Sequence, residues 1–237
     1  MTSSGSSPDT GGRAWPYLES RRGDREDEAV TSELRQPGLE FLRSIADYQQ
    51  QALRGAEPGP STDMDLAATD LSHLDLGGLS FERCTFDRSR FGGTQLGDTS
   101  FDRCTARQAD FTDAWLSKAQ VFGSNLSDSR FTRAKLIKWA VYHSILRAAD
   151  FTGADTNRTF FSECDLREAR FRSLELTDVG MTECLLTGAD FTGSFGTLSP
   201  YPINVGTPEE PRWIEGDEAL DWFRAAGARE IRWRARR

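Results

Sequence analysis

Apolar residues recur at every fifth position over more than half of the chain. From Leu66 to Phe191 each step of five lands on an apolar side chain, and only Thr156 departs from this rule. A mostly small residue lies two positions before each of these centres, and the other positions are mainly polar. A spacing of five matches neither the 3.6-residue period of a helix nor the two-residue period of a strand. It fits short extended pieces separated by sharp turns.

A second period, of twenty residues, indicates how many pieces form one turn of the chain. The segments ADFTDA (109–114), SRFTRA (129–134) and ADFTGA (149–154) follow one another at this distance. Two columns of equivalent positions are nearly uniform: Phe91, Phe111, Phe131, Phe151, Phe171 and Phe191, and then Leu76, Leu96, Leu116, Leu136, Thr156 and Leu176. Stacked like side chains are typical of solenoids. We therefore expect an all-β solenoid with four pieces per coil, about 6.5 coils and a length of about 31 Å at ~4.8 Å per coil.

The sequences of the five-residue repeats themselves resemble those of a known family. ADFTG, ADFTD and CDLRE are close copies of the A(D/N)LXX and A(D/N)FXX pattern, so residues 64–195 resemble the pentapeptide-repeat family. This resemblance implies a right-handed quadrilateral β-helix. It also implies a function, because the best-known members bind bacterial DNA gyrase or topoisomerase IV as mimics of a DNA duplex and protect against quinolones or a producer's own gyrase poison.

The chain divides into four expected regions. Residues 1–32 are rich in Ser, Gly, Asp and Arg and are expected to form a disordered tail. Residues 33–62 are expected to contain an amphipathic helix, over 38–54, and a Pro/Gly linker, and residues 63–196 to form the β-helix. The apolar stripe of that helix is predicted as Leu39, Leu42, Ala46, Gln49 and Leu53.

The fourth region, residues 197–237, combines a Pro-rich connector with a predicted short helix. Asp217 is expected to cap this helix at its start and Gly227 to end it. A solenoid exposes its core at each open end, so the helix is expected to cover the last coil. The alternative that this segment forms a homodimer contact stays open.

Composition narrows the classes of partner. The formal net charge is −8, which disfavours direct binding of nucleic acid or of an anionic membrane surface. No apolar run is long enough to cross a membrane, and the N-terminus lacks the apolar core of a secretory signal. We therefore expect a cytoplasmic protein. The predominance of Arg over Lys favours a bacterial source.

The four cysteines do not have the spacing of a metal site. Cys84, Cys104, Cys164 and Cys184 all fall at the small inward position of one column, with no CxxC pair. They are predicted to be buried, reduced packing residues. The sequence predicts no metal site and no cofactor.

The outward charges are arranged to cancel one another. The residue before the Phe column alternates in sign at every coil: Asp70, Arg90, Asp110, Arg130, Asp150, Arg170 and Asp190. We interpret this as a cross-strand ladder that fixes the register and leaves its face nearly neutral. Another face carries Lys118, Lys135, Lys138 and Arg158 and is locally basic. The fold therefore suits mimicry of a duplex better than the charge pattern does.

One coil breaks several rules of the repeat together. Trp139 occupies a position meant for a small residue, Thr156 replaces an inward Leu, and several outward positions become apolar or aromatic. A segment in which several features of the repeat are lost together is often a functional site. The candidate binding residues are Phe122, Ile137, Trp139, Tyr142, His143, Ile145 and Phe160. The alternative is that a terminal segment packs there and buries the patch.

Evidence for catalysis is confined to one possible constellation, Tyr142, His143 and Glu163, in which Glu163 would orient the imidazole. No established catalytic motif is present, so the sequence favours a non-enzymatic protein without excluding an enzyme. Three hypotheses follow: a binding protein for a type II topoisomerase that gives antibiotic resistance, an interaction scaffold for another protein, and a small-molecule-binding protein or biosynthetic enzyme that uses the Tyr142 face.

Overall fold

The computed structural model describes residues 35–54 and 59–234. The predicted tail, residues 1–32, lies outside them. In chain order the elements are α1 (Leu39–Leu53), β1 (Ser61–Thr62), β2 (Ser80–Glu82), β3 (Ser100–Asp102), β4 (Gln120–Phe122), β5 (Ala140–Tyr142), β6 (Phe160–Ser162), β7 (Glu175–Thr182), β8 (Phe195–Leu198), β9 (Ile203–Asn204), β10 (Trp213–Ile214), α2 (Gly216–Ala225) and β11 (Arg229–Trp233).

Successive coils stack in parallel with an offset of twenty residues. Phe81 pairs with Phe101, and Phe101 pairs with Val121 one coil further on. The sheet runs in the order β1-β2-β3-β4-β5-β6-β7-β8-β11, and the chain forms a β-solenoid of about seven turns. The predicted fold, with a short helix towards each end, is confirmed.

Each coil has four walls, which we number by their inward columns. Wall 1 carries the Phe column that begins at Phe91, and wall 2 carries the Leu column that begins at Leu76. Wall 3 consists of β2 to β6 with inward residues from Phe81 onward, and wall 4 has the column that begins at Phe86. On walls 1, 2 and 4 the coils meet through single bridges such as Asp70↔Arg90, Asp75↔Gln95 and Thr85↔Thr105.

The interior is filled by side chains stacked on their equivalents. Phe91 and Phe111 have ring centroids 4.5 Å apart and planes 7° apart, and Phe171 and Phe191 are 4.9 Å apart at 9°. Aromatic pairs contribute roughly 0.5–1.5 kcal/mol each beyond the burial of apolar area. The four cysteines are free and buried, which confirms the prediction that they serve packing.

The corners between walls use the left-handed backbone conformation. The second residue after most inward centres has a positive φ whatever its type, as at Arg133 (φ 57°), Ala148 (φ 54°) and Gly153 (φ 68°). This conformation is unfavourable for residues with a Cβ. The repeated corner is therefore a steric cost that the hydrogen bonds and packing between coils offset.

The charged column of wall 1 adopts the predicted alternating ladder. Every Asp of the column is paired through a backbone β-bridge with an Arg of an adjacent coil, from Asp70↔Arg90 to Arg170↔Asp190. Arg130 lies 3.5 Å from Asp110. The aspartates also stabilise the corner, because Oδ1 of Asp110 accepts a hydrogen bond from the Thr112 N–H at 3.0 Å.

Helix α1 covers the first coils, but with a different face from the one predicted. Phe41 and Ile45 are 3% and 9% exposed and join the core, and the Tyr48 hydroxyl donates to the Gly78 carbonyl. Leu42 is 38% exposed, and Ala46 and Gln49 are also exposed. The prediction was wrong at Leu42, Ala46 and Gln49, because Phe41 and Ile45, one position to the side, face the open coil. The side chains of Leu39 and Leu53, the other two residues of the predicted stripe, lie outside the described part of the structure.

The C-terminal segment covers the last coil. The Phe223 ring in α2 packs against Phe191 with centroids 5.0 Å apart, and β11 continues the sheet beside β8. The prediction that Asp217 caps α2 was wrong. The N-cap is Glu215, which makes no side-chain capping bond, and Asp217 lies in the first turn. A dimer contact through this segment stays a prediction.

The steric cost of the corner conformation can be tested at two adjacent alanines. Ala148 has a positive φ, whereas Ala149 is fully buried at an inward position. Ala148→Gly should raise the free energy of unfolding by about 0.5–1 kcal/mol, because glycine adopts this φ without a steric cost. Ala149→Gly is the matched control and should lower it by about 1 kcal/mol. Urea unfolding measures both, and equal destabilisation by the two variants would contradict the account of the corners.

The aspartates of wall 1 should make stability depend on pH. Hydrogen bonds from Ser72 lower the pKa of Asp70. At Asp190, burial raises the pKa, but hydrogen bonds from Thr192 and Arg172 outweigh this effect and lower it. A carboxyl with a lowered folded-state pKa contributes stability that is complete above its unfolded pKa of about 3.9 and is lost as the pH falls through the folded pKa.

We therefore expect the free energy of unfolding to fall below about pH 4. The fall should be shallower in the double variant Asp70→Asn/Asp190→Asn, because Asn cannot titrate but can still accept the corner hydrogen bond. Urea unfolding over a series of pH values measures this slope, and an identical slope in wild type and variant would show that these two carboxyls do not contribute.

Candidate functional site

An aromatic cluster lies on the outer side of wall 3. We define it as Phe122, Tyr142, His143, Phe160 and Tyr201. Phe122 and Tyr142 are register partners in β4 and β5, and the Phe122 ring meets the His143 ring edge-on at 5.2 Å. Tyr142 and Phe160 have centroids 6.0 Å apart. The structure thus brings together four of the seven candidate binding residues, Phe122, Tyr142, His143 and Phe160.

The alternation of side chains along a strand explains why these rings point outward. Within β4 and β5 the central residues, Val121 and Val141, are buried, so their neighbours face solvent. The same outward column carries Glu82 and Asp102 in earlier coils. Phe122 is 43% exposed. The outward residues in this column of wall 3 therefore change from acidic in the earlier coils to aromatic in the later ones.

A glycine and the C-terminal connector fix the position of the Phe160 ring, at the end of the cluster opposite Phe122. A Cβ at Gly180 would lie 2.5 Å from Cδ2 of Phe160, so only glycine lets this ring lie flat over the next coil. Tyr201 meets Phe160 edge-on at 6.0 Å and is itself 41% exposed. The connector thus extends the cluster at Phe160 and leaves Phe122 exposed. Sequence reasoning missed Tyr201, because nothing in the repeat pattern places the connector.

An ionisable pair lies at the corner beside the cluster. Nδ1 of His143 is 3.4 Å from Oε2 of Glu163 one coil further on, as predicted, and the two side chains are 26% and 42% exposed. Glu163 can hold the imidazole in one orientation. The Tyr142 ring turns towards Phe160 instead. The pair supplies polar groups at the rim of an open surface.

A shallow open groove of about 570 Å³ lies on the other side of Phe122. Its lining includes Ser100, Asp102, Arg103, Gln120 and Phe122. Arg103 lies 2.6 Å from Glu82 and 2.8 Å from Asp102, so its charge is matched within the groove. Phe122 therefore stands between a polar groove and the rest of the aromatic cluster.

The prediction that Trp139 belongs to the binding surface was wrong. Its side chain is fully buried, with its ring 5.2 Å from Phe131 and 5.8 Å from Phe161. It lines a small cavity of about 10 Å³ together with Ala106, which stands where wall 4 otherwise has Phe or Leu. The five-residue period already indicated that Trp139 is buried, because this residue lies two positions before Val141, at an inward position.

The two isoleucines of the predicted site lie on the walls that flank wall 3. Ile137 is on wall 2, and Ile145 is on wall 4, where it bridges to Asp165. Asp165 is a buried carboxylate held by Arg167 at 2.6 Å and by Arg147 at 3.3 Å. The predicted set of seven residues thus divides into an aromatic group on wall 3, one core residue and two residues on other walls.

The described ranges, 35–54 and 59–234, hold neither a metal-binding cluster nor a membrane-crossing helix. They contain no group of three or more His, Cys, Asp or Glu residues placed to hold a metal ion. None of their helices has both the length and the apolar character that a membrane crossing needs.

Comparison with solved structures gives matches to other repeat proteins. Two trypsin-treated forms of QnrB1, described as a plasmid-mediated fluoroquinolone resistance protein, each match with a TM-score of 0.56 and 23% identity, covering 60% of this chain and 73% of that chain. HetL, a pentapeptide-repeat protein involved in heterocyst differentiation regulation in the cyanobacterium Nostoc, matches with a TM-score of 0.29 and 16% identity, covering 66% of this chain and 85% of that chain. A search of curated proteins gives no significant match.

The family model for pentapeptide repeats matches residues 65–103, 89–128 and 144–182, with eight copies. These ranges lie within the coils that follow the five-residue frame. The likeness to QnrB1 is a likeness of fold. The stacked coils and the matched repeats together show that residues 65–128 and 144–182 consist of pentapeptide repeats.

Proposed function

We propose that this protein is a non-enzymatic binding protein that contacts a protein partner through the aromatic cluster of wall 3. The observation that carries the proposal is the exposure of this cluster on a wall whose other outward residues are mainly polar. Phe122 is 43% exposed and Tyr201 is 41% exposed, with Tyr142 and Phe160 half-buried between them. Contiguous exposed aromatic side chains are typical of binding surfaces, where they contribute much of the binding energy.

The shape of the rod favours binding over catalysis. Stacked side chains fill its interior, and the walls offer flat area and shallow grooves, whereas catalytic and small-molecule sites are usually concave and enclosed. The His143–Glu163 pair lies at an open corner with both side chains partly in solvent. We assign this pair a polar contact at the rim of the interface.

The partner that we propose is a bacterial type II topoisomerase, and the biological result is protection against a drug that acts on it. The pentapeptide repeats and the fold shared with QnrB1, which is described as a fluoroquinolone resistance protein, support this choice. The alternating charges of wall 1 argue against a uniformly negative contact surface. For this reason we place the contact on wall 3.

Purified bacterial gyrase gives the direct test. The full chain should inhibit DNA supercoiling, or protect the enzyme from a fluoroquinolone, at low micromolar concentration, since an interface with a few aromatic anchors reaches a Kd of about 1 μM or below. The assay is run with and without the drug. If no effect appears at a hundredfold higher concentration of the protein, the topoisomerase is not the partner.

Substitution within the cluster tests the surface itself. Phe122→Ala should raise the concentration needed for half-maximal inhibition at least about tenfold, because it removes an exposed aromatic anchor. Phe195→Ala is the matched control, since Phe195 is 46% exposed on wall 2, outside the cluster, and its removal should change inhibition less than about twofold. Both variants should unfold at the wild-type temperature. Equal losses in the two variants would contradict a contact at wall 3.

A further inference from the structure

All three lysines of the chain lie on wall 2 or at the corner that follows it. Lys118, Lys138 and Arg158 occupy this corner in successive coils, and we call them the cationic column. Their φ values are 61°, 57° and 57°. The Lys118 N–H bonds to the Ile137 carbonyl and the Lys138 N–H to the Asn157 carbonyl. The column therefore rises by one coil, about 4.8 Å, per charge.

Two residues of the cationic column lack the carboxylate partners that other like-charged corner neighbours have. Arg83 and Arg103 are also like charges one coil apart, but Arg83 pairs with Asp63 at 2.7 Å and Arg103 with Glu82 at 2.6 Å. Lys118 has such a partner in Asp98, at 3.8 Å. Within the part of the chain that the structure describes, Lys138 and Arg158 have no carboxylate in ion-pair range. Like charges placed opposite each other on neighbouring strands are destabilising, so the arrangement has a cost that folding alone does not explain.

An apolar surface lies beside the column. Trp115 is 42% exposed on wall 2, and the Lys135 ammonium lies 4.5 Å from the centre of its ring. Ile137, half-buried, directly precedes Lys138, and its carbonyl accepts a hydrogen bond from the Lys118 N–H. An exposed Trp with cations around it combines an apolar anchor with charges that can pair with an anionic partner.

The positive region is short, and acidic groups bound it. Asp98 precedes the column and Asp178 follows it, the latter paired with Arg234 at 2.5 Å. Asp155 follows Lys135 in the neighbouring column. A nucleic-acid strand would carry its phosphates past these carboxylates, against the field of a chain with net charge −8. The chemistry fits an anionic partner whose charge is confined to roughly two coil spacings, about 10 Å.

An acidic helix meets this requirement. Residues three or four apart on one helix face repeat about every 5.4 Å along the axis, which is close to the spacing of about 4.8 Å in the column. Over three positions the mismatch is about 1 Å, which flexible Lys and Arg side chains can absorb. An apolar residue on the same helix face would then reach Trp115.

We propose that wall 2 binds an acidic helix of a protein partner, with three carboxylates paired to Lys118, Lys138 and Arg158 and an apolar side chain against Trp115. This surface is distinct from the aromatic cluster on wall 3 and does not depend on the function proposed above.

Fluorescence polarisation with the full chain tests the proposal. The probe is a fluorescein-labelled alanine-based peptide of about 20 residues with Glu along one helical face and one Leu beside them, a length that supports helix formation in water. The same peptide with Gln in place of Glu and a single-stranded DNA of about 20 nucleotides serve as comparisons. The Glu peptide should bind, the Gln peptide should not, and the DNA should bind more weakly than the Glu peptide.

The triple variant Lys118→Gln/Lys138→Gln/Arg158→Gln should weaken binding of the Glu peptide at least about tenfold. The matched control is Arg88→Gln/Arg229→Gln/Arg232→Gln, which removes the same charge from three exposed arginines outside the column and should change binding less than about twofold. Phe122→Ala should leave peptide binding unchanged. Should the triple variant fail to fold, Lys138→Gly/Arg158→Gly takes its place, because glycine suits the positive φ of these corners.

Three results would overturn the proposal. Equal weakening in the column variant and the control would show that only net charge matters. Equal binding of the Glu and Gln peptides would exclude carboxylate recognition. Tighter binding of the DNA than of the Glu peptide, lost in the column variant, would assign the surface to phosphate instead.

Discussion

Register between coils is the constraint on which the rest of this structure depends. Each residue must lie beside the residue twenty positions later, because both the backbone hydrogen bonds and the stacked side chains require that spacing. Phe91 and Phe111 show the second requirement, with ring planes 7° apart at 4.5 Å. A slip of one residue would bring polar side chains into the interior. The alternating aspartates and arginines of wall 1 oppose the same slip from outside, because it would separate each Asp from the Arg beside it.

A rod with a filled interior can act only through its outer walls, and most of these are nearly neutral. Two surface features stand out from this background, the aromatic cluster and the cationic column. They occur on adjacent walls and, apart from Tyr201 of the connector, their residues lie between positions 115 and 160. Trp139, in the same coils, is buried against Phe131 and Phe161. Both proposed contact surfaces thus lie in the middle of the rod, while the terminal segments close its ends.

Much of the candidate site could be predicted because its members repeat with the coil. Phe122 and Tyr142 are one coil apart, and so are His143 and Glu163, so the period of twenty places each pair together. The repeat frame could not show that Tyr201 reaches Phe160, because the connector lies outside it.

The pattern of residues alone predicts the solenoid, the four inward columns, the buried cysteines and the charge ladder. It could do so because each of these features repeats, so that every coil provides the same evidence again. Which face of α1 is buried, how α2 begins and where the connector lies are seen only in the three-dimensional structure. These segments occur once, and their contacts depend on the shape of the coil they cover: Phe41 and Ile45 face the first coils, and Phe223 packs on Phe191 in the last. The pattern of apolar residues in a single short helix predicts its buried face only approximately. Which side chains are buried depends on the shape of the coil against which the helix packs.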